Sequence, residues 1–254
     1  LQYELILHYL AAGITCYILA RKFKLSQAAS TLSATSYMLG GIFMGNAEHF
    51  NAIVCFTWLP LALAGIVGWF ADNNRKDLWL LGISIFLMLT GGHFGPNLIA
   101  FLFMAVLIII NIVESIQANG LSATWNRRLV PLAFALLIPV LVAGIYLIPV
   151  FADLASFTNR GSALPYNYVV NYNAWPPWGL LSLILPASRF AAGLYPNWES
   201  ISMLNCYFGI ISLCLSLFAL YAKRARPVLI LAALGCAGLL LALGGKGALR
   251  GLLY

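Results

Sequence analysis

"LVPLAFALLIPVLVAGIYLIPVF" occupies residues 129–151, and no side chain in it is charged. As an α-helix it would run about 35 Å, at ~1.5 Å per residue. The hydrocarbon core of a bilayer is ~30 Å thick. Its apolar residues are continuous rather than alternating, which argues against a strand of a closed barrel. The stretch therefore reads as a transmembrane helix. Pro139 in its middle and Pro149 near its end each remove a backbone hydrogen bond and predict a kink. Arg127 and Arg128 precede it, and the first acidic residue after it is Asp153.

Working outward, runs of this kind recur along the whole chain. Of its 254 residues 62% are hydrophobic and 8% charged, against about a quarter charged in a soluble domain. The mean hydropathy is +0.91. Eight spans are expected, at about 3–20, 27–45, 52–70, 78–92, 96–113, 129–151, 203–222 and 227–244. The fourth is short for a crossing, which takes ~17–25 residues. The predicted fold class is all-α: a polytopic transmembrane helical bundle forming a single domain over 1–254. The chain starts at Leu1 within an apolar run and ends at Tyr254 without a polar tail. Together with the lack of a leader, this reads as a piece of a longer protein, cut at each end.

The net charge of +7 would suggest nucleic acid in a soluble protein. Here the basic residues form short clusters between spans, so they read as topology signals, and no nucleic-acid partner is expected. Arg21, Lys22 and Lys24 follow span one. Arg75 and Lys76 follow span three, Arg127 and Arg128 span five, and Lys223, Arg224 and Arg226 span seven. These are ten of the fourteen basic residues, all on alternate links. By the positive-inside rule these links face the cytoplasm and residue 1 starts on the outer side.

The outer links are then 45–51, 91–97 and a long segment of about 152–202. The last is rich in aromatics (Phe157, Tyr166, Tyr168, Tyr172, Trp175, Trp178, Phe190, Tyr195 and Trp198). Tyr and Trp favour the headgroup region, so this loop is expected to lie on the membrane. Within it "WGLLSLILPA" (178–187) is too short to span and predicts an interfacial or re-entrant helix. "WPPW" (175–178) predicts a rigid, non-helical lead into it. The five cysteines all fall in apolar runs without metal-ligand spacing or a disulfide framework.

Ionisable groups in membrane segments are costly. Outside the basic links there are few, and all three histidines map to the outer side. Glu4 and His8, four apart, share a helix face and could hydrogen-bond each other. They line the bundle, or support an outer site. Glu48 and His49 stand in "MGNAEHFNAI" (44–53). On a helix they would point about 100° apart and pair poorly. Three roles are open to them: a general base, a divalent cation bridging a phosphate, or polar groups of a wet turn. His93 in "TGGHFGPN" (90–97) sits between glycines at a helical hairpin. It either tips that turn or donates to a phosphate oxygen, with Asn97 as a further binding candidate. Arg160 is suited to bidentate phosphate binding, or anchors at the headgroups; Arg189 is a weaker candidate. No phosphate-binding loop, dinucleotide fingerprint, zinc-protease motif or nucleophile elbow is present. No cofactor is evident beyond that possible divalent cation.

Four stretches, in order, resemble the YfhO family of bacterial membrane proteins, within the wider GT-C class of lipid-sugar glycosyltransferases. They are "GITCYILARKFKLSQAASTLSATSYMLGG" running into "NAEHFNAIVCFTWLPLAL" (13–63), "LTGGHFGPNLIAFL" (89–102), "LIPVFADLASFTNRGSALPYNY" (147–168) and "LNCYFGIISLCLSLFAL" (204–220). The resemblance implies a protein of the bacterial cytoplasmic membrane. It would transfer a sugar from a polyprenyl-phosphate donor to an envelope glycan or lipid at the outer face, among membrane lipids. In that family the characteristic Asp lies in the first outer loop, upstream of Leu1. Glu48 and His49 are then the catalytic candidates in this chain. His93, Arg160, Glu4, His8 and Asn97 are the binding candidates. A transporter or flippase of lipid-linked substrates, and a non-catalytic assembly subunit, are the alternatives. Mid-span regions without Asp, Glu, Lys or Arg tilt against transport.

Overall fold

The computed structural model describes residues 2–91, 93–157, 165–171, 174–185, 205–222 and 226–246. Among these residues every regular element is helical. Four helices are long and apolar enough to cross a membrane: Gln2–Lys22, Phe50–Asp72, Phe94–Asn119 and the continuous helical run Leu121–Asp153. Two shorter apolar helices, Ile210–Ala222 and Arg226–Ala242, follow. The exposed surface points to a membrane protein, because large side chains such as Leu141 (73% exposed) and Ile145 (81% exposed) stand open along Val130–Phe157. In water such a stripe would favour association.

The chain falls into two compact units, Leu1–Met38 with Ala47–Asp153, and Leu39–Asn46 with Leu154–Tyr254. In the first, α1 (Gln2–Lys22), α5 (Arg75–Thr90) and α6 (Phe94–Asn119) pack on α4 (Phe50–Asp72), and α2 (Gln27–Met38) packs on α1. The short helix α3 (Gly41–Gly45) belongs to the second unit. After α6 come α7 (Leu121–Thr124), a π-helical turn (Trp125–Leu129) and α8 (Val130–Phe157). Ala52, Ile53, Ala62, Ala64 and Ile66 make α4 the core of its unit. Small residues bring its partner close. A Cβ on Gly65 would lie 2.7 Å from the Asp77 carbonyl oxygen and 2.8 Å from the Leu81 nitrogen, so α4 and α5 meet backbone to backbone there.

Pro60 lies inside α4. A proline cannot donate to the carbonyl four residues back, and its ring crowds that turn. The acceptor it leaves is Phe56 O, which takes a hydrogen bond from the Tyr37 hydroxyl of α2 at 2.6 Å. One residue on, Thr57 O accepts from the Thr15 hydroxyl of α1 at 2.8 Å. The defect in α4 is thereby turned into a tie to α2, and the Thr15 bond beside it ties α1 to the same turn. Such repair by hydroxyls is what allows proline within membrane helices.

Chain reversals also follow from local chemistry. Asn73 ends α4 in the left-handed conformation (φ 52°) and donates to Trp69 O. The Asn74 side chain then caps α5 by accepting from Lys76 N. Gly120 (φ +79°) turns α6 into α7, and the Thr124 hydroxyl closes that turn on Ser115 O at 3.0 Å.

Two of the eight expected spans differ in outline. Residues 27–45 form two helices, because Gly40 is extended (φ −67°, ψ 161°) and ends the run. Neither piece, of 12 and 5 residues, is long enough to cross alone. The expected 203–222 span is helical only from Ile210, after an extended 205–209. The fourth, α5, is short, as expected, with 16 residues.

In the second unit, Gly41 N donates to Tyr207 O at 2.5 Å. The same glycine lies so close to Asn205 that a Cβ there would collide with it. Trp175 is buried, with its backbone N–H donating to Ala242 O at 2.6 Å. Cys206, Leu239 and Ala242 pack on it. Trp175 is thus a core residue rather than a headgroup anchor, whereas Tyr166 and Tyr168 are about half exposed. Pro176 is extended, as "WPPW" predicts. The apolar stretch after it, expected as an interfacial or re-entrant helix, is helical in part, as a 3-10 helix over Pro177–Leu183. Consecutive Pro176 and Pro177 leave that turn short of backbone donors.

Removing the Tyr37 hydroxyl tests the tie at Pro60. Tyr37→Phe should cost about 1 kcal/mol, and it should cost close to nothing in a Pro60→Ala background. There position 60 regains a backbone N–H, which takes over Phe56 O. Unfolding by denaturant of the two singles and the double reads this coupling.

Candidate functional site

The ionisable groups of the first unit gather at its two ends. At one end the C-terminus of α1 meets the start of α5, where Lys22 Nζ lies 2.5 Å from Asp77 Oδ1. Asp77 is 2% exposed and Lys22 24%. Gly68 of α4 gives them room, since a Cβ there would sit 2.5 Å from both Lys22 Nζ and Asp77 Oδ2. Arg128 joins from the π-helical turn. Its guanidinium donates to Phe70 O and lies over the Phe70 ring, 5.8 Å from the centroid. The Trp69 indole N–H donates to Arg128 O at 3.3 Å. Three of the four basic links, those holding Lys22, Arg75 with Lys76, and Arg128, therefore share one end of the unit. Of the fourth, Lys223 and Arg224 lie outside the described residues, and Arg226 belongs to the second unit.

The opposite end holds the histidines of this unit. His8 sits nearly two turns into α1, and its Nδ1 makes a 2.8 Å hydrogen bond to Glu4 O. The expected partner was the Glu4 carboxylate; helical geometry instead puts the carbonyl of residue four back within reach of the ring. With Nδ1 donating, Nε2 is the acceptor of the neutral ring. The ring meets Phe50 edge-on at 5.0 Å and Trp58 at 6.5 Å, at the start of α4. Thr57 Oγ1 approaches His8 O at 3.3 Å, so α1 and α4 are joined just below.

Glu48 and His49 lie in the turn before α4, not on a helix. That lets them approach after all: His49 Nε2 is 3.6 Å from Glu48 Oε1, an ion pair when the ring is protonated. Glu48 is the more exposed of the two, at 65% against 37%. His49 Nε2 itself is buried and has no hydrogen-bond partner among the described residues. His93 stands at the N-cap of α6 without capping it by its side chain. Its turn belongs to the same end, since a Cβ on Gly91 would lie 2.8 Å from Val54 Cγ1 of α4. Asn97 is buried inside the hairpin, where its Nδ2 donates to Met88 O at 2.8 Å and holds α5 to α6. Arg160, Arg189 and Glu199 lie outside the described residues.

The arrangement thus brings His8, Glu48, His49 and His93 to one end of the bundle, around the first turns of α4. Chemically it offers an exposed carboxylate next to an imidazole, and a second imidazole with an open nitrogen against aromatic rings. Among the described residues no group of three or more His, Cys, Asp or Glu could hold a metal ion. A cation held by Glu48 and His49 would take its remaining ligands from elsewhere.

Sequence reasoning missed the Lys22–Asp77 pair. Its signal was Asp77 three residues after the capping Asn74, inside a link read only for its positive charge.

Two measurements follow from the two ends. Asp77→Asn strands Lys22 and should cost about 3 kcal/mol, at the low end for a buried pair because Lys22 keeps some solvent; a denaturant titration reads it. In membranes sealed around a cysteine-free background, Glu48→Cys and Lys76→Cys should label from opposite sides with an impermeant maleimide. Comparison with family models, curated proteins and solved structures finds no match to this chain.

Proposed function

We propose that the chain is part of a membrane glycosyltransferase of the GT-C type, with about eight spans in all. It takes sugar from a polyprenyl-phosphate donor and passes it to an envelope glycan or lipid at the outer face of a bacterial cytoplasmic membrane. The observation that carries this reading is the segregation of charge. Basic links gather at one end of the first unit, while His8, Glu48, His49 and His93 gather at the other. By the positive-inside rule the histidine end is then the outer one.

At that end, His49 and His93 would donate to the donor phosphate; Arg160, outside the described residues, is the candidate permanent cation by its chemistry alone. Glu48 would serve as a base for the acceptor hydroxyl, or border a carboxylate supplied upstream. Exposed Tyr166 and Tyr168 are of the type that stacks on sugar faces.

The second reading, a flippase or transporter of lipid-linked substrates, draws on one observation. Residues 27–45 are interrupted at Gly40, and interrupted helices are frequent where transporters bind substrate. The experiment that separates them is sugar transfer from a labelled polyprenyl-phosphate donor in membranes carrying the full-length protein. His49→Ala, His93→Ala and Arg160→Ala should each lower transfer by about 10²-fold. Unchanged transfer in all three would sink the assignment. Loss of donor translocation in place of transfer would favour the transporter.

A further inference from the structure

Between α5 and α8 runs an apolar groove of about 670 Å³. Its walls are built by Trp79, Ile83 and Phe86 from α5, and by Phe134, Ile138 and Val142 from α8. The helices come close at Gly82, where a Cβ would lie 3.4 Å from Ala135 O. Both helices begin at the basic end of the unit. Arg128, two residues ahead of α8, is bonded to Phe70 of α4, and α5 leaves α4 through a two-residue turn. The groove therefore starts at the basic end.

Arg75 lines it there. Of the other basic residues at that end, Lys22 is engaged with Asp77, Arg21 with Leu25 O and Arg128 with Phe70 O, and Lys24, Lys76 and Arg127 do not line the groove. Arg75 is exposed and makes no hydrogen bond or ion pair among the described residues. From Arg75 to Phe86 the groove runs about 16 Å along α5, close to half of a ~30 Å hydrocarbon core. One leaflet is the matching length. Trp79, 72% exposed, stands one turn above Arg75, a level where Trp is favoured at the headgroups.

We propose that this groove binds an anionic phospholipid of the leaflet at the basic end, with the phosphate on Arg75 and one acyl chain between α5 and α8. The charge and the apolar length are both required for this occupant. A lipid supplies an anion joined to a chain of one leaflet's depth. A second copy of the protein would have to bring an acidic group on an apolar helix face. Basic pockets between membrane helices are a recurrent form of anionic-lipid recognition. The site is at the end away from the histidines and stands whether or not the protein transfers sugar.

The test uses the full chain, delipidated in detergent and titrated with phosphatidylglycerol or phosphatidylcholine of identical acyl chains, with bound lipid read by native mass spectrometry. The wild type should retain phosphatidylglycerol about fivefold better. Arg75→Gln should erase that preference, Arg75→Lys should keep most of it, and Arg127→Gln should leave it unchanged. Ile138→Trp, at a half-exposed wall position, should fill the groove and lower retention of both lipids. Equal retention of the two lipids by the wild type would overturn the proposal. So would an Arg75→Gln protein that still prefers phosphatidylglycerol, or a dimer that forms in place of the lipid adduct.

Discussion

A single missing N–H organises the first unit. Pro60 lies within the most buried helix, where water cannot repair the loss. An unsatisfied carbonyl in such a place costs as much as a lost hydrogen bond or more. The Tyr37 hydroxyl of α2 meets the cost at Phe56 O, and the Thr15 hydroxyl of α1 adds a bond to the next carbonyl, Thr57 O. Each arrives on a different helix, so the register of α1 and α2 against α4 is set by hydrogen bonds as well as by shape. In a lipid surrounding this matters, because apolar packing alone distinguishes poorly between helix and lipid contacts. The close α4–α5 approach at Gly65 completes the frame by shape.

With that frame in place, polar groups are sorted to the ends. The buried Asp77 is tolerated because Lys22 neutralises it, and Gly68 leaves the space for both. At the other end His8 is held by a backbone carbonyl and two aromatic rings, while Glu48 and His49 occupy a turn open to solvent. The two ends differ in kind. One is a closed ionic joint, and the other holds three histidines around the exposed Glu48 carboxylate. The second is where an incoming phosphate or sugar hydroxyl could be met, and this asymmetry underlies the functional proposal.

Much of this was legible in the residues. The long apolar runs at 52–70, 96–113 and 129–151 each correspond to a helix, because burying an unpaired backbone in lipid leaves no other local solution. The sharing of one end by Lys22, Arg75 with Lys76, and Arg128 followed from counting spans between basic clusters. Other features were not legible. Residues 27–45 looked continuous, yet break at Gly40, where a glycine that packs through its neighbour Gly41 against Asn205 and Tyr207 outweighs a uniform apolar pattern. Trp175 read as an interfacial ring and is instead buried. Glu48 and His49 fall in an outer link by sequence, but helical spacing argues against their pairing, and the turn they form brings them to 3.6 Å.

By itself, the sequence determined that the chain is helical and apolar over membrane-crossing lengths, and which polar groups fall at which end. Those properties depend only on the order of residues along one chain and the length each helix spans. Tertiary structure alone decided which hydroxyl answers the carbonyl freed by Pro60, that Asp77 meets Lys22, and that α5 and α8 leave a groove with Arg75 at its mouth. Each of these joins residues far apart in the chain. On helices apolar on every side, no periodicity marks the face that will meet a neighbour, so only the packed arrangement reveals it.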